Sequence, residues 1–275
     1  MQVVFVLWSM LILTGGNYMF FCQKTGKMVP IEDIVKVAMD YDVVIFGEKH
    51  DSKECHDAEL ALLKALSRKY KLVFTLEMFE RDVQPWLDKY LTGKIDEDEF
   101  LKNSRPWSNY REDYRPMIEY CRKDSIPVVA ANVPRYIASM VAKGGLSAIE
   151  NLSEKERKFM ADTIFYEEPE YRARFYRTME HIHMPGFSDE MKENYYKAQC
   201  IKDATMAESI IKVLKEKPGY KVFHINGSFH SDYHKGVAWQ ISKMAPGLKV
   251  LVIAPLEKGE EYEEAPGDFI FYYEK

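Results

Sequence analysis

The stretch Asp42-Val43-Val44-Ile45-Phe46-Gly47-Glu48-Lys49-His50 decides the fold, because an apolar run meets a glycine and then polar residues. Its β-branched residues predict a buried strand that ends at the glycine. A helix is expected next, over residues 53–69, where Leu60, Leu63 and Leu66 provide an apolar stripe. A strand followed at once by an amphipathic helix begins a βαβ unit, so the stretch predicts a parallel sheet.

The same alternation recurs on both sides of this stretch. Further strands are predicted at residues 72–76, 126–130, 220–225 and 249–253, with 269–273 as a closing edge strand. Helices are predicted at residues 31–39, 82–91, 96–101, 114–123 and 233–244. Residues 134–217 contain no convincing strand and predict helices at 153–166, 170–180 and 188–215. We therefore expect one α/β domain over residues 31–275, a mostly parallel sheet flanked by helices, with a helical insertion at about 134–217.

The composition and charge of the chain bear on which partners it could bind. A formal charge of −5, with 47% hydrophobic and 29% charged residues, describes an ordinary globular chain and predicts no nucleic-acid partner, which would require a basic surface. The four cysteines, Cys22, Cys55, Cys121 and Cys200, form no CxxC pair. This spacing excludes a zinc knuckle and a thioredoxin-like motif, and buried or free thiols are expected.

The amino terminus predicts export. Residues 3–13 are almost wholly apolar and are followed by Thr14, Gly15 and Gly16. The run is shorter than the roughly 20 residues of a membrane-spanning helix and fits the core of a signal peptide, roughly 7–15 residues. We expect residues 1–30 to be a signal segment and leader, and the mature protein to be extracytoplasmic, in the periplasm or associated with a membrane.

Polar residues follow four of the predicted strands, where each strand ends. They are Glu48 and His50 with His56 shortly after, then Glu77, then Asn132 and Arg135, and finally Asn226 and His230. The carboxyl ends of parallel strands meet at one edge of a sheet, where α/β proteins bind ligands. We expect these residues to line one crevice, with Glu48, His50, Glu77 and His230 within a few ångströms of one another. His224, in the middle of a strand, is expected to be structural.

Two chemistries fit this cluster. Two Gly-x-x-His segments, 47–50 and 227–230, could combine with Glu77 into a metal site of His50, Glu77 and His230 with an open position for water or substrate. Alternatively, Glu48 or Glu77 could act as a general base assisted by His50, without a metal. On either chemistry the catalytic set is Glu48, His50, Glu77 and His230, and the sequence does not choose between them.

Several motifs together resemble one family. They are Gly47-Glu48-x-His50-Asp51 with His56, Leu76 to Arg81, Trp107 to Pro116, Ala131 to Arg135, Tyr196 to Ala207, and Asn226-Gly227-x-x-His230. In this order, over about residues 41–255, they resemble the ChaN-like haem-binding proteins, which belong to a superfamily with the Tiki and TraB proteins and are related to erythromycin esterases. The resemblance implies haem binding, a role in iron uptake, and export that is often lipoprotein-like. This chain departs from the lipoprotein pattern, because Cys22 follows Met19-Phe20-Phe21 and not the small residues of a lipoprotein box.

Haem needs an axial ligand, an apolar slot and cations for its propionates. The helical insertion offers all three types of group, and the candidate haem-binding residues are Tyr166, Tyr171, Tyr195, Tyr196, His183 and Arg174. The first hypothesis is a haem-binding protein of bacterial iron uptake, with haem held by the insertion, an outer-membrane haem receptor system as partner, and a homodimer. The alternative is a metal-dependent hydrolase that uses the strand-end cluster. A third is a protein that has kept the fold and lost both activities.

Overall fold

The computed structural model describes residues 18–180 and 188–274. The apolar segment at residues 3–13 and the candidate ligand His183 lie outside the described residues. Eight strands form one sheet: β1 (Met19–Cys22), β2 (Lys27–Pro30), β3 (Val43–Glu48), β4 (Leu72–Glu80), β5 (Val128–Asn132), β6 (Lys221–Gly227), β7 (Val250–Glu257) and β8 (Phe269–Tyr273). Their order across the sheet is β2-β1-β8-β7-β3-β6-β4-β5. The six strands from β8 to β5 run parallel, and β1 is antiparallel to both of its neighbours.

The helices connect and cover the strands. They are α1 (Ile31–Val37), α2 (Lys53–Lys69), α3 (Gln84–Leu91), α4 (Glu97–Ser104), α5 (Arg115–Lys123), α6 (Arg135–Gly144), α7 (Glu154–Arg157), α8 (Pro169–Glu180), α9 (Asp189–Glu216) and α10 (Gly236–Met244), with a π-helical turn at Tyr110–Tyr114. The predicted α/β class, with a mostly parallel sheet and helices around it, is confirmed. Among the described residues, no helix is both long and apolar enough to cross a membrane.

Side chains of β3 alternate between two cores, as the period of a strand requires. Val44 and Phe46 join the larger core with residues of α2 and α5. Val43 and Ile45 join the second core with residues of α9 and α10. Both faces are covered and every residue of β3 is buried, which explains the unbroken apolar run from Val43 to Phe46.

Two predicted boundaries at the edge of the sheet are wrong. Strand β8 is not an edge, because the hairpin β1–β2 lies outside it. Residues 19–30, assigned by sequence to a leader, are therefore part of the domain. Phe20 anchors the hairpin: its ring is fully buried and contacts the rings of Phe46 and Phe271. All four cysteines are buried and free, as expected.

The helix predicted at residues 153–166 is reduced to the single turn α7. A capping box between Ser153 and Glu156 starts it. Beyond it, three backbone N–H groups donate to side chains of other elements: Ala161 to Thr205, Asp162 to Glu208 and Phe165 to Gln240. Because these groups are satisfied by tertiary contacts, the segment needs no helical hydrogen bonds.

Candidate functional site

The end of β3 holds a carboxylate and an imidazole in one hydrogen-bonded unit. Glu48 is buried, and its Oε1 accepts a hydrogen bond from the Tyr114 hydroxyl at 2.6 Å. The same oxygen lies 2.6 Å from Nδ1 of His50, whose side chain is 46% exposed. Burial alone would lower the pKa of His50, but the hydrogen bond and charge of Glu48 outweigh it and raise that pKa above its ordinary value. Glu48 thus fixes the orientation of a half-exposed imidazole.

The end of β6 places a second imidazole between two carboxylates. His230 is buried, with Nδ1 2.5 Å from Oδ1 of Asp203 and Nε2 3.3 Å from Oε1 of Glu77. Burial would lower its pKa, but the charges of Glu77 and Asp203 outweigh it and raise the pKa of His230 to about 10. The two neighbouring carboxylates therefore favour the protonated form of His230. In turn, burial would raise the pKa of Glu77, but His230 holds it well below its ordinary value.

Gly227, the last residue of β6, lies between Glu77 and the His50 ring. Its N–H donates to Oε2 of Glu77 at 2.8 Å. A Cβ at this position would lie 2.7 Å from both Cε1 and Nε2 of His50, so only glycine lets the ring pack there. The structure therefore brings Glu48, His50, Glu77 and His230 together at one edge of the sheet, as the sequence predicts. Their catalytic and metal-binding roles stay predictions.

Three of the predicted crevice residues lie elsewhere. Asn226 is fully buried and donates to the Gly227 carbonyl and the Ser231 hydroxyl, so it braces the loop after β6. Asn132 is also buried, and its side-chain oxygen accepts from the N–H of Val133. His56 is buried behind Glu48, because α2 turns it toward the protein interior. Arg135, in contrast, is exposed and lines the same groove as His50.

A wide groove opens beside His50. Its cavity volume is about 1240 Å³, and its walls include Arg105, Trp107, Arg135 and Tyr136. The Trp107 ring meets the His50 imidazole edge to face at 4.9 Å. Tyr136, on the first turn of α6, is 42% exposed. Arg105 is paired with Glu80 and Asp82, whose carboxylates also line the groove.

The tyrosines predicted as haem ligands pack among the helices of the insertion. Tyr171 and Tyr196 are buried, and their hydroxyls donate to Oδ2 of Asp203 at 2.8 Å and to the carbonyl of Tyr166 at 3.0 Å. Tyr166 and Tyr195 are partly buried against the same cluster. Arg174 pairs with Asp232 at 2.8 Å and lies over the ring of Phe229. The described candidates therefore already have protein partners, and their role toward haem stays a prediction.

Sequence reasoning missed three residues. Asp203 lies within the quoted stretch from Tyr196 to Ala207, but α9 had to be folded against β6 before it could be paired with His230. Tyr114 lies in the stretch from Trp107 to Pro116 and was not singled out as a partner of Glu48. Tyr136 directly follows Arg135, and no local pattern distinguishes it from the other tyrosines.

Comparison with known proteins supports one family. The model of the family described as haem-binding uptake, Tiki superfamily, ChaN matches residues 34–241. The structure of ChaN from Campylobacter jejuni, described by its cofacial haem binding, is similar over 94% of this chain and 97% of that one, with a TM-score of 0.71 and 19% identity. An erythromycin esterase in its open conformation shares the fold over 86% of this chain and 77% of its own, with a TM-score of 0.50 and 12% identity.

One curated relative comes from a plant. RETICULATA-RELATED 5, a chloroplast protein of Arabidopsis thaliana, is 24% identical over 217 residues, which is 74% of this chain. The match spans only 29% of the length of that relative.

Proposed function

This chain belongs to the ChaN family of haem-binding uptake proteins in the Tiki superfamily, and we propose that it binds haem in the groove beside His50. One observation carries the proposal: the groove is lined by aromatic rings, by candidate iron ligands and by an arginine. Its volume of about 1240 Å³ exceeds the 300–1,000 Å³ that is usual for drug-sized ligands, so a macrocycle can enter. The indole of Trp107 and the ring of Tyr136 supply flat apolar walls.

Tyr136 is the axial ligand in this proposal. Haem iron is held by His, Cys, Met or Tyr side chains, and the groove offers His50 and Tyr136. Nδ1 of His50 is hydrogen-bonded to Glu48, and its Nε2 edge packs over Gly227. Tyr136, in contrast, is exposed in the groove. Tyr136 belongs to α6, the first helix of the predicted insertion. The insertion then holds the haem through α6, and not through the buried tyrosines of α8 and α9.

We place the haem propionates on the side of the groove that Arg135 lines. Arg135 is exposed there, next to Tyr136 in sequence. Arg105 is already paired with Glu80 and Asp82, so Arg135 is the more available cation. Planar guanidinium groups suit carboxylates because two N–H donors can face two oxygens.

Haem titration of the purified protein tests this proposal. The wild type should give a shifted, saturable Soret band near one haem per chain. Tyr136→Phe should lose the shifted band or change its position, while Tyr171→Phe should leave it unchanged. A Tyr136→Phe variant with the wild-type spectrum and affinity would remove Tyr136 as the ligand, and a wild type without a shifted band would remove haem binding altogether.

Uptake and location are also part of the proposal. We propose that the protein acts in haem or iron uptake outside the cytoplasm, in the periplasm or at a membrane, with an outer-membrane haem receptor system as partner. The support is the family and the apolar run at residues 3–13. A groove open on one side would also let two haem-loaded copies face each other as a homodimer. Fractionation of the native host and the molecular mass with and without haem test these points; full-length chain found solely in the cytosol would oppose export.

The hydrolytic alternative draws less support. The family model describes haem binding, and the likeness to an erythromycin esterase shows the fold alone.

A further inference from the structure

A second group of buried polar side chains adjoins His50 and shares Glu48 with the strand-end cluster. Its members are Glu48, His56 and Glu59, which are at most 2% exposed. Each offers one ligand atom, and these atoms all lie within 4.8 Å of one another. Within the described part of the chain, Oε2 of Glu48 and Oε1 of Glu59 are buried without any hydrogen-bond partner. Burying two neighbouring carboxylates is costly unless a cation or a proton compensates them.

The orientation of His56 shows what kind of compensation the cluster lacks. Its Nε2 lies 3.2 Å from the carbonyl oxygen of His50, so this nitrogen carries the proton and donates it. In a neutral imidazole the other nitrogen, Nδ1, then has only a lone pair. Nδ1 lies within hydrogen-bond distance of Oε2 of Glu59, at 3.2 Å, and 3.5 Å from Oε2 of Glu48, so either a proton or a metal cation must lie between these atoms. Three lone-pair donors facing one another repel unless a positive charge lies between them.

The spacing suits a metal ion. Ligand atoms about 2.1 Å from one ion, at tetrahedral angles, lie about 3.4 Å apart. The two distances from Nδ1 of His56, 3.2 and 3.5 Å, fall on either side of this value. A metal-binding histidine usually donates its second N–H to a backbone carbonyl or a carboxylate. His56 does this with the His50 carbonyl, and Oδ2 of Asp113 lies 3.7 Å from the same nitrogen.

We propose that Glu48, His56 and Glu59 bind one divalent transition-metal ion. Two carboxylates and one imidazole are a donor set for Mn²⁺, Fe²⁺ or Zn²⁺. This set shares Glu48 with the strand-end cluster but uses neither of its histidines, His50 and His230. The ion would bind Oε2 of Glu48, since Oε1 already accepts from His50 and Tyr114. The site does not depend on haem binding and can be tested without haem.

Manganese binding by the chelator-treated, haem-free full chain tests the proposal. The wild type should bind one Mn²⁺ per chain, and electron paramagnetic resonance should show coupling to one directly bound imidazole nitrogen. Glu59→Gln keeps the size of the side chain and should weaken Mn²⁺ binding at least tenfold. The matched control is Glu54→Gln, an exposed carboxylate on the same helix, which should leave Mn²⁺ binding intact. Glu77→Gln tests the strand-end cluster separately.

Three outcomes would overturn the proposal. A wild type that binds neither Mn²⁺ nor Zn²⁺ would show that a proton compensates the carboxylates. Bound Mn²⁺ without nitrogen coupling would place the ion elsewhere. Loss of Mn²⁺ in Glu77→Gln together with its retention in Glu59→Gln would assign the ion to the strand-end cluster. The first two outcomes need only the wild type, so the test survives a variant that fails to fold.

Discussion

Nδ1 of His230 lies 2.5 Å from Oδ1 of Asp203, and this contact joins helix α9 of the insertion to the carboxyl end of β6. Asp203 also accepts a hydrogen bond from the buried Tyr171 hydroxyl. The helical insertion is therefore fastened to the sheet through a buried charge pair, directly beside the strand-end cluster.

Asp203→Asn should lower the pKa of His230 from about 10 toward its ordinary value, because one of the two carboxylates that stabilise the imidazolium is removed. The free energy of unfolding should fall by about 3 kcal/mol or more, as is typical when one partner of a buried pair is lost. Proton resonances of the His230 ring followed against pH measure the first effect, and urea unfolding measures the second. Glu190→Gln, an exposed change on the same helix, is the control and should alter neither.

The free energy of unfolding should decrease as the pH rises above neutral. The folded-state pKa of His230, about 10, lies above the 6.5 of an unperturbed histidine, so folding favours the protonated form. This contribution is fully present below pH about 6.5 and is lost as the pH rises through about 10. Urea midpoints measured from pH 6 to 10 should fall more steeply for the wild type than for His230→Gln. If the urea midpoints of the two proteins fell equally with pH, the raised pKa of His230 would not be the cause.

Gly227→Ala should displace the His50 ring. The new methyl group would lie 2.7 Å from two ring atoms, so the imidazole must move away from Glu48 or the backbone must shift. We expect a loss of about 1–3 kcal/mol in stability, together with altered haem binding. Gly247→Ala is the matched control, because a Cβ there would meet nothing within 4 Å, and its effect should stay within about 0.5 kcal/mol. Equal stability of the two variants would show that His50 does not pack over Gly227 in solution.

Arg135→Gln should weaken haem affinity about fivefold, or ~1 kcal/mol, which is the upper range for an exposed ion pair. The Soret maximum should stay in place, because a propionate partner does not touch the iron. Lys143→Gln removes a positive charge from the same helix, at an exposed position away from the groove, and should leave the affinity unchanged. Equal losses in both variants would indicate a general charge effect and no propionate contact.

The sequence determined the class of fold and the place of the site. The side chains on one face of a strand or helix are two to four residues apart in sequence, so the spacing of apolar residues predicts these elements. Helix α2 was predicted in this way at 53–69 and is found at Lys53–Lys69. Once the strands are parallel, their carboxyl ends share an edge, and this alone brings Glu48, His50, Glu77 and His230 together. The family resemblance, read from motifs in a fixed order along the chain, is confirmed by the family match.

Only the tertiary structure decided which side chains pair and which stay available. Asp203 becomes the partner of His230 from 27 positions away, and Ala161 gives its N–H to Thr205 from 44 positions away, which ends a helix that local pattern favours. Burial likewise turned Tyr171 and Tyr196 inward and left Tyr136 in the groove. The physical reason is that desolvation and hydrogen-bond partners depend on which elements pack together, and short-range periodicity does not record this.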